Sequence, residues 1–232
     1  MRITASSQPW SNPRSQRCRR IVMYVGRIVS IARTQAGNVA GMYRVSSRSF
    51  PNRQANLLES SAAIVPKPGH ENDIHKNPYI AYSCLMQVGT RLVVSNGSHT
   101  DPIAGKLSDG ASPRDALASV LHGMDFEHDH LSTPRIAAIV DTADECGYLG
   151  IVRANELLVR CLPIGAGQAW YVATYEHTVP GDYADDSFDC ASGDDACAYI
   201  MGRGAFADLE RPITAACGVA TGATSYDIAV RG

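Results

Sequence analysis

Hydrophobic residues along this chain occur mostly in short continuous or alternating runs, a pattern that favours β-strands over long helices. Residues 24–32 and 39–47 form two such runs on either side of a turn at Gly37-Asn38. The same pattern predicts further strands at 59–65, 79–88, 91–95, 135–141, 147–152, 156–162 and 168–175, with a last strand at either 213–219 or 226–230.

Helical patterns are fewer than strand patterns. We expect a short helix at 101–109, a second one that starts after Ser112, and a third at 193–203. Ser112 is a suitable N-cap for the second helix, and Pro113 suits its first position. Because many strands accompany few helices and no linker divides the chain, residues 23–232 are predicted to form one α+β domain with mostly antiparallel strands.

Composition places the chain among ordinary globular proteins. Of its 232 residues, 45% are hydrophobic and 19% are charged, and no apolar run reaches the roughly 20 residues that span a membrane as a helix. Residues 1–22 contain several arginines and no acid, whereas residues 23–232 hold all 23 acidic residues. We expect residues 1–22 to be disordered or not native to the protein. Residues 23–232 therefore carry a net negative charge, which argues against nucleic acid as a partner. We expect no membrane partner either.

The seven cysteines are scattered, with no C-x-x-C pair. An odd and irregular set of cysteines is typical of reduced thiols in a cytoplasmic protein. We therefore predict a cytoplasmic location, with neither a functional disulfide nor a zinc site.

Three arginines lie close together in the segment YRVSSRSFPNR. They are Arg44, Arg48 and Arg53, and Ser46 and Ser47 lie between the first two. Guanidinium groups match phosphate oxygens in bidentate geometry, and serine hydroxyls add further donors. The segment therefore predicts an anion site, although an exposed edge strand that carries charges for solubility would have the same composition.

Two other segments concentrate polar chemistry. NPYIAY (77–82) and SNGSHTD (95–101) supply tyrosines and a dense loop of donors and acceptors before a predicted helix, where backbone amides favour anions. An Asn-Gly turn with an N-cap aspartate is the simpler interpretation of that loop, and the tyrosines could belong to the core. In DFEHDH (125–130), Glu127 is a candidate general acid or base. The alternatives there are a solvated loop or a metal site, and we expect no metal.

Taken together, MYVGRI, YRVSSRSFPNR, NPYIAY, VVSNGSHTD, STPRIAA and ATYEHT resemble the archaeal IMP cyclohydrolase family, in the right order over nearly all of residues 23–232. The resemblance implies a four-layer αββα sandwich similar to N-terminal nucleophile hydrolases. It also implies cofactor-free closure of the purine ring, in which 5-formamidoimidazole-4-carboxamide ribotide becomes inosine monophosphate (IMP) and water in purine biosynthesis. The arginines would bind the 5′-phosphate of this small-molecule substrate.

The resemblance also implies roles for individual residues. Those expected to take part in catalysis are Tyr79, Asn96, Glu127 and Arg48. Those expected to bind substrate are Arg44, Ser46, Ser47, Arg53, Asn77, Ser98, His99 and Thr100. We further expect a homo-oligomer. No processed nucleophile is expected, because Met23 and Tyr24 offer neither Ser, Thr nor Cys. The alternatives are an amidohydrolase of the same fold and a non-catalytic protein that binds purine nucleotides.

Overall fold

The computed structural model of the protein describes residues 24–232, so the extension predicted for residues 1–22 lies outside the described residues. Within 24–232 the strands form two sheets. The six-stranded sheet contains, in spatial order, β11 (Ala184–Asp185), β10 (Gln168–Ala173), β1 (Arg27–Arg33), β2 (Val39–Ser46), β12 (Pro212–Gly222) and β13 (Ser225–Arg231). The seven-stranded sheet contains β3 (Arg53–Leu57), β4 (Ser61–Pro66), β5 (Tyr82–Val88), β6 (Arg91–Ser95), β7 (Arg135–Asp141), β8 (Cys146–Arg153) and β9 (Glu156–Pro163). The helices are α1 (Asp73–Lys76), α2 (Thr100–Ser108), α3 (Pro113–Met124) and α4 (Gly193–Gly202).

Strand pairing in the described part of the chain is antiparallel throughout. This confirms the predicted α+β class with mostly antiparallel strands. None of the helices described between residues 24 and 232 is long and apolar enough to cross a membrane.

Three hydrophobic clusters join the sheets and helices. Side chains that include Val29, Tyr43 and Leu92 fill the space between the two sheets. Because side chains alternate along a strand, neighbouring residues such as Met42 point the other way and pack with residues of α4, including Ile200. A third cluster joins the outer face of the seven-stranded sheet to α2 and α3.

The start of α3 follows the prediction from sequence. Ser112 has an extended backbone, and its hydroxyl accepts a hydrogen bond from the Asp115 amide at 3.2 Å, while Pro113 occupies the first turn. Such an N-cap satisfies one of the amide donors that a helix leaves unpaired at its start.

Two strand predictions were incomplete. The polar segment Arg53–Leu57 forms β3, which pairs with β4, and the Ala55 amide also donates to the Thr214 hydroxyl at 2.9 Å. Tertiary pairing thus makes a strand that hydrophobic periodicity does not reveal. At the other end of the chain, both candidate last strands form, because β12 and β13 are the two arms of a hairpin.

Arg44 is predicted above to bind the substrate phosphate, but its side chain is fully buried on the face of β2 that packs on α4. The guanidinium donates, over 2.9 to 3.3 Å, to backbone carbonyls, and its Nε donates to the Ser46 hydroxyl at 3.1 Å. The four carbonyls belong to Ile200, Phe206, Leu209 and Glu210.

These contacts use all five donors of the Arg44 guanidinium. Burial lowers the pKa of Arg44 to about 10, so the group stays charged at neutral pH. Arg44 and Ser46 therefore hold the end of α4 and the following loop on the sheet, and neither has a donor or acceptor directed at a substrate phosphate.

We expect Arg44→Ala to lower the free energy of unfolding by about 2–4 kcal/mol, because it leaves buried carbonyls without donors. Urea unfolding followed by circular dichroism measures the change. Arg48→Ala is the control, since Arg48 is 57% exposed and exposed ion pairs contribute only about 0–1 kcal/mol. Wild-type stability in Arg44→Ala would contradict the structural role.

Candidate active site

A polar cleft opens where the two sheets end together. The strands β1, β3, β5 and β7 begin at this end, and their antiparallel neighbours β2, β6 and β10 end there. Residues that line the cleft include Arg27, Ser47, Arg53, Asn77 and Tyr175, and its empty volume is about 370 Å³ with the open mouth included.

The carboxylate of Glu127 lies at the inner end of this region, between two guanidinium groups. Glu127 Oε2 is 3.5 Å from Arg27 Nη2, and Oε1 is 3.8 Å from Arg135 Nη1. Burial raises the pKa of Glu127 to about 7, although the charges of both arginines act in the opposite direction. The carboxyl group can therefore hold or release a proton near neutral pH.

Unpaired polar atoms concentrate at the same place. Among residues 24–232, the buried side-chain N and O atoms without a hydrogen-bond partner are Arg27 Nε, Arg53 Nη1, His99 Nδ1, Glu127 Oε1 and Arg135 Nη1. Buried polar atoms in folded proteins are nearly always paired. Donors and acceptors left over in one region are therefore the groups available to a bound molecule.

Gly97 allows three of these atoms to approach one another. A Cβ atom at Gly97 would lie 3.0 Å from Arg135 Nη1, 3.1 Å from His99 Nδ1 and 3.3 Å from Glu127 Oε1. His99 Nε2 donates to the Ile136 carbonyl at 2.9 Å, so Nδ1 keeps its lone pair. Burial lowers the pKa of His99 to about 3, and the charge of Arg135 acts in the same direction. His99 is therefore a neutral acceptor beside the acid.

Two tyrosine hydroxyls form a buried pair between the sheets. The hydroxyl oxygens of Tyr43 on β2 and Tyr82 at the start of β5 are 2.6 Å apart. Burial raises the pKa of Tyr43, although the positive charges of Arg27 and Arg53 act to lower it. Because one of the two hydroxyls donates to the other, the pair keeps one further donor.

Several predicted site residues line the cleft or its inner end. Arg53 is 2% exposed, and its Nε donates to the Phe50 carbonyl at 3.2 Å while Nη1 is unpaired. Ser47 and Asn77 line the cleft, and Asn77 Oδ1 also accepts from the Tyr79 amide at 2.8 Å.

Other predicted residues have different surroundings. Arg48 pairs with Glu210, with Nη2 and Oε2 2.6 Å apart. The amide side chain of Asn96 is held by β7, because it accepts from the Ile136 amide at 2.8 Å and donates to the Pro134 carbonyl at 3.0 Å.

The remaining three predicted residues lie near the start of α2 or in a short 3-10 helix, Pro78–Ile80, which precedes β5. The Thr100 hydroxyl contacts the Ser83 carbonyl and the Ser95 hydroxyl, Ser98 is exposed, and Tyr79 lies with its ring centroid 5.7 Å from the Arg135 guanidinium carbon. Tyr79 therefore contacts Arg135, one of the two arginines beside Glu127.

The sequence interpretation missed Arg27, Tyr43, Tyr82 and Arg135. Each lies inside or beside a segment that already carried the family resemblance, such as MYVGRI for Arg27 and STPRIAA for Arg135. A charged residue that directly precedes a continuous apolar strand was the available signal, because such a residue lies at a strand end.

Residues 24–224 match a family model described as IMP cyclohydrolase-like protein. The chain belongs to the IMP cyclohydrolase-like family. It is 42% identical to IMP cyclohydrolase of Methanosphaera stadtmanae over 83% of this chain and 92% of the relative. It is 43% identical to the Methanocella arvoryzae protein of that name, over 84% of this chain and 91% of the relative. With the Methanocaldococcus jannaschii IMP cyclohydrolase the identity is 40%, over 85% and 93% of the two chains.

The raised pKa of Glu127 predicts a pH dependence of stability. The folded protein keeps this proton up to about pH 7, whereas the unfolded chain releases it near 4.5. Stability from Glu127 is therefore complete below the unfolded pKa and is lost as pH rises to about 7. Relative to Glu127→Gln, the free energy of unfolding of the wild type should fall by about 1–3 kcal/mol between pH 5 and 8. Urea unfolding at both pH values measures this difference, and a rise instead of a fall would contradict the assignment.

Proposed function

We propose that this protein is an IMP cyclohydrolase, which closes the purine ring of 5-formamidoimidazole-4-carboxamide ribotide to give IMP and water. Family membership supports the reaction. The observation that carries the proposal is the Glu127 carboxyl group, which titrates near neutral pH beside the unpaired donors of Arg27 and Arg53. Ring closure and loss of water need both a proton carrier and donors for a developing oxyanion.

The charges at the inner end favour the reacting groups of the substrate there over its phosphate. A dianionic phosphate next to Glu127 would be repelled by that carboxylate or would force it to stay protonated. The neutral formyl and carboxamide groups meet no such repulsion, and the formyl oxygen can accept from Arg53 Nη1 and Arg27 Nε. We assign the phosphate to the mouth, where Ser47 and Ser49 supply hydroxyl groups.

In the proposed reaction, the carboxamide nitrogen attacks the formyl carbon, and the formyl C=O becomes a hydroxyl-bearing tetrahedral centre. The guanidinium groups stabilise negative charge on that oxygen as it forms. The Glu127 carboxylate takes one proton from the attacking nitrogen and passes it to that oxygen, which completes the hydroxyl group. The hydroxyl then leaves as water with a second proton, which Glu127 carries from the formamide nitrogen as the C=N bond of the new ring forms. The Tyr82 hydroxyl, held by Tyr43, is assigned the hydrogen bond to the same oxygen.

Further expectations from the sequence stand as part of this proposal. The packing of helices on the outer faces of two sheets that share a core supports an αββα sandwich similar to N-terminal nucleophile hydrolases. The hydrophobic clusters that connect the two sheets with α2, α3 and α4 support the predicted single domain over residues 23–232. Free thiols among residues 24–232 support a cytoplasmic location. The exposed Leu57 and Leu58 at the β3–β4 turn are candidate contacts in a homo-oligomer.

Turnover of the purified protein tests the function. The formyl substrate is added without other components, and formation of IMP is followed by its absorbance. The proposal predicts stoichiometric conversion to IMP. A non-catalytic protein would bind IMP without any conversion, and an amidohydrolase would instead cleave an amide bond of the substrate and release the corresponding acid.

Arg53→Ala tests the role of the buried guanidinium. We expect a loss of about 1.5–3 kcal/mol of transition-state stabilisation, or roughly 10- to 150-fold in kcat/KM, mostly in kcat because the contact forms with the developing oxyanion. Its stability should not fall much, since Arg53 is buried with one unpaired nitrogen. Arg114→Ala, at an exposed position on α3, is the control. A pure KM effect would place the phosphate, and not the formyl group, at Arg53.

A further inference from the structure

The wall of the cleft contains two stacked tyrosine rings. The rings of Tyr24 and Tyr175 have centroids 5.5 Å apart and planes inclined by 20°. Both residues line the cleft and are partly exposed, and neither belongs to the three hydrophobic clusters of the described chain. We call this pair the aromatic wall. Its rings are therefore not needed to fill the core.

The aromatic wall is held in place from both sides. The Tyr175 hydroxyl lies 3.0 Å from the Thr133 hydroxyl, which itself donates to Asp129 at 2.8 Å. The guanidinium carbon of Arg48 lies 4.3 Å from the centroid of the Tyr24 ring. Glu210 in turn fixes Arg48 through two hydrogen bonds.

A glycine makes room for this arrangement. Gly26 has φ +72°, and a Cβ atom there would lie 2.7 Å from two carbons of the Tyr175 ring. Any side chain at position 26 would push the ring away. Chain geometry, hydroxyl contacts and a cation therefore all fix two partly exposed rings in the wall of the cleft, which is the preorganisation expected of a binding surface.

We propose that the aromatic wall binds the planar heterocycle of the ligand, so that the site favours nucleotides over sugar phosphates that lack the ring. This inference rests on the proposed function and extends it, because it names the residues that recognise the ring. Aromatic side chains stack on nucleobases with little sequence preference, since every base has a π-face. Arg48, predicted above to be catalytic, is then a positioning residue that acts through Tyr24.

Binding of two ligands to the whole protein separates ring recognition from phosphate recognition. IMP carries the heterocycle, whereas ribose 5-phosphate has the same sugar phosphate without it, and calorimetry measures both dissociation constants. Removal of one stacking ring typically costs about 5- to 150-fold in affinity. We therefore expect Tyr175→Leu to weaken IMP binding by about 10-fold and to leave ribose 5-phosphate binding unchanged.

Three further variants make the test specific. Tyr175→Phe keeps the ring and should keep the affinity for IMP, and Tyr24→Leu should weaken IMP binding in the same selective way. Tyr226→Leu is the matched control, because Tyr226 contacts the Thr90 carbonyl at the opposite end of the sandwich. Urea unfolding checks that each variant is folded.

The proposal would be overturned if both leucine variants lost the same affinity for IMP as for ribose 5-phosphate, or if neither variant lost affinity for either ligand. A wild type that binds the two ligands equally well would also overturn it. These outcomes are distinct from failure of the proposed function, in which the wild type would not convert the formyl substrate but could still bind IMP through the two rings.

Discussion

Charged side chains can be buried only where other groups compensate them, and this constraint shapes the end of the two sheets where the cleft opens. Three guanidinium groups, those of Arg27, Arg53 and Arg135, act on the single carboxylate of Glu127. One acid cannot satisfy three such groups, so donors are left unpaired inside the protein. The surrounding residues accommodate this excess: His99 is neutral, Gly97 has no side chain, and the tyrosine hydroxyls bond to each other. The polar groups of a ligand would supply the missing hydrogen-bond partners of these donors.

The same constraint separates the arginines that the sequence places close together. Arg44 meets four carbonyls and a hydroxyl, and with every donor satisfied it stabilises the attachment of α4. Arg48 stays near the surface with Glu210, where solvent screens the pair. Arg53, only nine residues after Arg44, begins β3 and keeps an unpaired nitrogen at the cleft. The three arginines are alike in the sequence but have three different roles in the structure, because their surroundings supply different partners.

Periodicity and cap residues predicted most strands and the start of α3, since those features depend on local sequence. The site was harder to predict, because small turns decide which of two similar residues points inward. Asn77 accepts from the Tyr79 amide and creates a short turn, after which Tyr82, and not Tyr79, begins a strand that faces the other sheet. In DFEHDH only Glu127 is buried, while His128 and His130 are exposed. The composition of that segment indicated its chemistry but could not indicate which member turns inward.

The central claim is that the unpaired guanidinium donors receive the reacting part of the substrate and that the mouth of the cleft receives the phosphate. A crystal structure of the protein with bound IMP tests this orientation most directly, because the two ends of IMP are easily distinguished in electron density. The account predicts the hypoxanthine ring toward Arg53 and Glu127, with the phosphate near Ser47 and Ser49. A phosphate bonded to Arg53 and Arg27, with the ring at the mouth, would contradict it.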